Sequence, residues 1–309
     1  MTEKPKIIII TGPTASGKTK IAIELALYFN GEIINADSMQ VYKEMNIGTA
    51  KPTIEQKKMV PHHLIDVVYP DEEFNAAKYE NITLPIIYEL NSKEKIPFIV
   101  GGTGLYIRAL LKGLFHVPPV DIKLREKLRK KAEKEGLEIL YNKLKKYDPE
   151  YAYKIHPHDK IRIIRAIEIY YLSGKKPSEL IKEHTLSLKE ERFQAITFFL
   201  DLKRDQLYNQ INYRCLRMLE TGLIEETRRL LLKGYSPELK PMQSIGYKHI
   251  VKYIKRDWNL ETALRVMQRD TRRYAKRQIT WFRKERGIVW ISPDNITLIK
   301  DKISKFLGL

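Results

Sequence analysis

The residues Gly12-Pro13-Thr14-Ala15-Ser16-Gly17-Lys18-Thr19 fit the spacing of Gly, four residues, then Gly-Lys-Ser/Thr. Such a loop turns a row of backbone N–H groups toward phosphate at a helix start. Lys18 adds a point charge, and the Thr19 hydroxyl is a ligand for Mg²⁺. The pattern predicts a polyphosphate without choosing ATP. A second group is Asp37, which ends the apolar run Glu32 to Ala36. A carboxylate there suits proton transfer, and it is also how a magnesium-binding acid of an ATPase reads. A third is Gly101-Gly102-Thr103-Gly104, where the glycines let backbone approach a ligand or turn tightly.

Three apolar runs must carry these groups. Lys6 to Thr11 reads KIIIIT, too short for a helix and suited to a buried parallel strand. Glu32 to Ala36 and Ile96 to Val100 read the same way. Thr19 to Phe29 has the spacing of an amphipathic helix. In an open α/β sheet, ligands bind outside the carboxyl ends of the strands, so loop and carboxylate are expected on one edge. Leu64 to Val68 reads as a short strand broken at Asp66. Asn75 to Leu90 reads as a helix kinked at Pro85, and Arg108 to Leu114 as the next helix.

Beyond Pro118-Pro119 the pattern changes. Asp121 to Glu135, Leu137 to Tyr147 and Lys160 to Ser173 are charged amphipathic helices, with no convincing strand before about Glu191. Strand signal returns at Phe193 to Leu200. The helical spans Gln206 to Thr221, Leu223 to Lys233 and Leu260 to Glu285 follow, then a strand at Val289 to Ile291 and a helix at Ile296 to Leu307. The expected architecture is α/β, a P-loop NTPase-like parallel sheet core with an inserted helical domain and a helical, basic C-terminal part. The expected segments are 1–119, 120–192 and 193–309.

The 309 residues carry a net charge of +18, unevenly placed. Residues 1–120 hold 13 basic and 13 acidic side chains, residues 121–194 hold 19 and 13, and residues 195–309 hold 24 and 12. A polyanion bound by the later regions fits this split, with nucleic acid the first candidate. Arg265, Arg269, Arg273 and Arg277 form an i, i+4 row, and arginine suits forked phosphate contacts. The single Cys215 excludes an internal disulfide and a cysteine zinc site, and its apolar setting reads as core. His62-His63 lacks metal-ligand spacing and reads as structural. No apolar run approaches the ~20 residues that span a bilayer. The Ile7 to Ile10 run leads into the phosphate loop and is not read as a signal peptide. A cytoplasmic, monomeric protein without membrane association is expected.

Several blocks together resemble one family. Asp37-Ser38-Met39-Gln40-Val41-Tyr42, Asn46-Ile47-Gly48-Thr49-Ala50-Lys51-Pro52 and Gly101-Gly102-Thr103-Gly104-Leu105-Tyr106 look like signatures of the tRNA dimethylallyltransferases, also called isopentenyl-tRNA transferases. Ser244-Ile245-Gly246-Tyr247 and Ala275-Lys276-Arg277-Gln278-Ile279-Thr280-Trp281 resemble its later blocks. The likeness covers nearly the whole chain and points to the bacterial type, without the zinc-finger extension of eukaryotic members. It implies transfer of a dimethylallyl group from dimethylallyl diphosphate to N6 of the adenosine 3′ of the anticodon in tRNA. By motif it implies Asp37 as general base with Thr103 beside it. Residues Gly12, Pro13, Thr14, Ala15, Ser16, Gly17, Lys18 and Thr19 would hold diphosphate with Mg²⁺, aided by Arg214. Contacts to the tRNA anticodon arm are implied for Ser38, Met39, Gln40, Arg125 and the segment Ile161, Arg162, Ile163, Ile164, Arg165. Arg269, Arg273, Lys276 and Arg277 are assigned to RNA by their charge.

The chemistry agrees with that likeness. An allylic diphosphate needs its leaving group neutralised, and the chain has no Asp-Asp pair for an aspartate-rich magnesium site. The phosphate loop can serve instead. An exocyclic amine is a weak nucleophile that a positioned carboxylate assists. The target base must leave its stack, with Tyr42 and Tyr106 either stacking partners or core residues. Three other readings share parts of the pattern: an ATP-dependent kinase of small metabolites, a transferase that prenylates free adenylate, and a nucleotide-switched RNA-binding protein. The charge split disfavours the first, the helical insertion and arginine row the second, and the position of Asp37 the third.

Overall fold

The structure is a computed structural model and describes residues 4–115, 117–187 and 191–309. Residues 1–3, 116 and 188–190, which fall within the expected segments, lie outside the described residues. The chain forms two compact units, one of residues 1–111 and 192–309 and one of residues 112–191.

The first unit begins with β1 (Lys6–Thr11), α1 (Lys18–Tyr28), β2 (Gly31–Asn35), α2 (Ile54–Met59), β3 (His62–His63), α3 (Ala76–Ser92), β4 (Ile96–Val100) and α4 (Gly104–Lys112). α2 escapes a search for apolar periodicity because none of its residues is buried. Its signal is a capping box, in which Thr53 accepts from the Gln56 N–H and Gln56 reaches back to Thr53 N. Residues 64–68 are not a strand. Leu64 and Asp66 both adopt positive φ, which ends β3 after two residues, and Val68 keeps only an isolated bridge to Tyr42. α3 runs on through Pro85 to Ser92. α4 starts at Gly104, earlier than expected, because Thr103 O already accepts from Tyr106 N.

The second unit holds α5 (Ile122–Glu135), α6 (Leu137–Tyr147), α7 (Pro149–Tyr153), α8 (Lys160–Ser173) and α9 (Pro177–Ser187). Leu128, Leu140, Leu144, Ile155, Ile163 and Ile167 meet in its core. Buried Asp148 caps α7 through Tyr151 N and also accepts from Ser178 N at the start of α9. The short α7 and the polar α9 lack the long periodicity that marks the other three helices.

The chain then completes the first unit with β5 (Gln194–Leu200), α10 (Arg204–Glu220), α11 (Leu223–Leu232), α12 (Tyr247–Ile254), α13 (Leu260–Phe282), β6 (Ile288–Ile291) and α14 (Ile296–Leu307). All six strands are parallel in the order β3-β2-β4-β1-β5-β6. β1 lies inside the sheet, with Ile8 in register with Phe98 on one side and Ile196 on the other. Its isoleucines are fully buried, as a strand covered on both faces requires. Ile8, Ile10, Ile33, Phe98 and Phe198 pack with residues of α1 and α14, while Phe199 meets Phe282 of α13. The α/β core with a parallel sheet is as the sequence implied.

Candidate functional site

The carboxyl ends of β1, β2 and β4 bring the three chemical groups together. Gly12 must be glycine: its φ is +152°, and a Cβ would lie 2.9 Å from Leu200 O. Gly17 takes the left-handed conformation and opens α1, leaving the first N–H groups of that helix toward the loop. The Ser16 hydroxyl is buried without a partner. Lys18 folds back on the loop, donating from Nζ to Gly12 O at 3.1 Å and to Pro13 O at 2.7 Å. Burial and the nearby Arg214 charge lower Lys18 to about 7, although Asp37 pulls the other way.

Asp37 is fixed by its own chain. Its Oδ1 accepts from Met39 N at 2.8 Å and Gln40 N at 3.4 Å, and Asn35 Oδ1 accepts from Asp37 N. Thr103 Oγ1 accepts from Ser38 N at 3.0 Å, and Thr103 N donates to Ala36 O. Asp37 and Thr103 are therefore carried on two loops tied to each other. Gly101 permits this, because a Cβ there would lie 2.2 Å from Ala36 O. Tyr274 of α13 is a site residue that the sequence did not single out. Burial and the Asp37 charge push its hydroxyl up, opposed by a hydrogen bond with Thr103.

Asp37, Thr14, Arg214, Tyr274 and Arg277 line a cavity of about 350 Å³. Ile245, Cys215, Met218 and Met267 give it an apolar wall. Cys215 is buried and burial raises its thiol, as suits a packing residue. A smaller cavity of about 40 Å³ is lined by Lys18, Thr19, Asn35, Asp37, Gln40 and His62. His62 Nδ1 lies 2.7 Å from Val60 O, while its Nε2 is buried without a partner. Ile33, Pro52, Ile65 and Val100 line the same cavity, and Thr19 and Asp37 are among the oxygen groups it offers a Mg²⁺. Among the described residues no group of three or more His, Cys, Asp or Glu forms a metal cage.

The loop Asn46 to Pro52 is clamped from below. Buried Glu226 accepts from Asn46 N, Ile47 N and Gly48 N, and Gln40 Nε2 donates to Thr49 O and Ala50 O. Lys51 Nζ, which burial lowers, reaches Tyr42 O, Asn46 Oδ1 and Asp66 Oδ1. Tyr42 and Tyr106 are 1% and 3% exposed, and Tyr106 stacks on Tyr79 at 4.4 Å, so both belong to the core.

The expected RNA-facing residues separate into two sets. Ile163 and Ile164, 0% and 4% exposed, pack in the core of the second unit, a correction to their reading as contacts. They fall on the inner side of α8, whereas Ile161 is 82% exposed and Arg162 is also outward. Arg125 and Arg165 both pair with the fully buried Glu168, at 2.7 and 3.0 Å. On α13, Arg269, Arg273, Lys276 and Arg277 are exposed. Arg269 donates to Asp270 on the same helix.

Comparison with known proteins follows the same lines. A family model described as IPP transferase matches residues 40–285. The chain is 45% identical over 306 residues to a tRNA dimethylallyltransferase of Geobacter sulfurreducens, covering 99% of this chain and 98% of that one. It is 47% identical over 289 residues to one of Acetivibrio thermocellus, covering 93% and 92%. The crystal structure of a full-length tRNA isopentenylpyrophosphate transferase from Bacillus halodurans superposes with a TM-score of 0.72 at 38% identity, covering 99% and 97%. A eukaryotic dimethylallyltransferase acting on tRNA gives 0.81 at 31% identity, covering 97% of this chain and 80% of that one.

Proposed function

The chain belongs to the IPP transferase family, and we propose that it moves a dimethylallyl group from dimethylallyl diphosphate to N6 of the adenosine next to the anticodon in tRNA. The observation that carries this reading is the pairing of a phosphate loop with a carboxylate across one cavity. The apolar wall of Ile245, Cys215, Met218 and Met267 suits a five-carbon hydrocarbon. Arg214 and Lys18 suit the diphosphate attached to it.

In the reaction, the adenine amine attacks C1 of the allyl group as the C1–O bond to diphosphate breaks. Asp37 takes the proton that N6 loses. Its Oδ1 is held by Met39 N and Gln40 N, so the group does not have to reorient. The loop N–H groups, Lys18 and Arg214 stabilise the departing charge. Thr103 accepts from Ser38 N next to Asp37, and Tyr274 lines the same cavity as Asp37. Mg²⁺, which the Thr19 hydroxyl would help hold, would neutralise part of the diphosphate charge when bound. Exposed arginines of α13 and Arg162 offer the RNA backbone its partners. No described helix is long and apolar enough to cross a membrane.

The test is transfer of radiolabelled dimethylallyl diphosphate by purified protein, with tRNA and free AMP as rival acceptors. Label in tRNA, confined to the adenosine 3′ of the anticodon, is expected. Label in AMP alone, or tRNA-stimulated ATP hydrolysis without transfer, would reject the reading.

A further inference from the structure

Gln278 lies on the buried side of α13, 6% exposed, and each end of its amide is engaged. Oε1 accepts from the Thr14 N–H at 2.8 Å, and Nε2 donates to Gly102 O at 3.0 Å. One side chain thus bridges the phosphate loop and the glycine loop that carries Thr103. The Gly102 site is shaped for it: a Cβ there would lie 2.1 Å from Gln278 Nε2. No hydrogen bond among the described residues joins the backbones of these two loops directly.

We propose that Gln278 is a positioning residue that locks the phosphate loop to the Gly102-Thr103 loop, holding the diphosphate in register with Asp37. The bridge needs one acceptor and one donor at fixed ends, which an amide supplies. It fixes Thr14 N–H inside the protein and leaves the N–H groups of Gly17, Lys18 and Thr19 at the start of α1 for the anion. It also holds Gly102, whose neighbour Thr103 accepts from Ser38 N beside Asp37. The amide thus adds a link between the loops themselves to the sheet pairing beneath them, where Gly101 N donates to Ile10 O. The idea rests on the proposed reaction only where it speaks of Asp37, because diphosphate binding can be read without transfer.

Three variants test it: Gln278→Met, which keeps the volume without the hydrogen bonds, Gln278→Glu, and Gly102→Ala, which displaces the amide from the other side. Affinity for inorganic diphosphate is measured by titration calorimetry, and single-turnover transfer is measured between pH 5.5 and 8.5. Gly102→Ala should weaken diphosphate by about tenfold, the scale of one lost buried hydrogen bond, and Gln278→Met, which loses both bonds, by about tenfold or more. Their tRNA affinity should stay within about threefold of wild type. Gln278→Glu carries the distinguishing readout. Protonated, its carboxyl accepts from Thr14 and donates to Gly102 O. Ionised, it loses the donor and sets a negative charge beside the loop. Its diphosphate affinity and rate should recover toward wild type at the acid end and fall at the alkaline end.

A Gln278→Glu profile parallel to wild type would overturn the proposal, as would a folded Gln278→Met that binds diphosphate unchanged. If Gln278→Met does not fold, the acid recovery of Gln278→Glu decides alone. A wild type that transferred nothing, with variants that still lost diphosphate as stated, would reject the reaction and uphold the lock.

Discussion

The Tyr247 hydroxyl donates to Glu226 Oε1 at 2.5 Å beneath the loop that starts at Asn46. The pair joins two blocks far apart in sequence, and Gly48 lets it do so: a Cβ there would lie 2.4 Å from the Tyr247 ring. Glu226 is buried, yet its oxygens meet three backbone N–H groups and this hydroxyl, so its charge is compensated. Glu226→Ala leaves those donors orphaned. It should lower unfolding free energy by about 2–4 kcal/mol, and Tyr247→Phe by about 1 kcal/mol. Urea melts of both variants provide the check. Equal effects would show that the backbone donors find other partners.

Asp37→Asn keeps an oxygen that can accept from Met39 N, so the turn should survive. The amide cannot take the amine proton. Single-turnover transfer should fall ~10²–10⁴-fold with tRNA affinity preserved. A rate within a few-fold of wild type would remove Asp37 from the role of base.

Lys18 ionises near 7 in the folded protein against an ordinary 10.5. Between those values the unfolded chain holds the extra proton, so the ligand-free protein gains stability as pH rises through this window. Diphosphate favours the charged amine, and binding at pH 8 should draw in a proton. The difference in diphosphate affinity between wild type and Lys18→Met should shrink above pH 7, by up to about tenfold per pH unit. Calorimetry in buffers of different ionisation heat measures the uptake directly. Uptake equal in the two proteins would place the proton elsewhere.

Arg273→Ala and Arg277→Ala should each lower the slope of log tRNA affinity against log salt by about 1. Arg269→Ala should do less, because that guanidinium already donates twice to Asp270. Burial would raise Asp270, but its hydrogen bonds with His249, Arg269 and Lys248 hold it at about 2. The order of the three slopes is the test, and a steeper loss at Arg269 would contradict it.

What could be read from the sequence was local. The phosphate loop, Asp37 and the parallel strands each announce themselves within a few residues, because backbone N–H cradles and buried strands depend on neighbours in the chain. Tyr274, Gln278 and Glu226 do not. Each acts on a loop more than a hundred residues away, Gln278 on Thr14 and Gly102 and Glu226 on residues 46–48. Gln278 lies in the block Ala275 to Trp281, yet nothing in its type tells a bridge from a surface amide. Ile163 and Ile164 failed the other way. The RNA reading covers a contiguous segment, whereas the ~100° step of a helix leaves Ile163 and Ile164 on the core side and turns Ile161 and Arg162 outward.

The position of β1 inside the sheet sets a schedule for making the protein. Its partner Ile196 emerges from the ribosome long after Ile8, and Gln278 later still. The second unit, built from neighbouring helices, can collapse meanwhile from short-range contacts. Until β5 arrives, β1 presents an unpaired apolar edge, the kind of surface on which chains aggregate. The nascent enzyme thus spends most of its synthesis needing protection at the strand that will bear its phosphate loop. Truncated chains that end before α13 should be clients for chaperones and not weak catalysts.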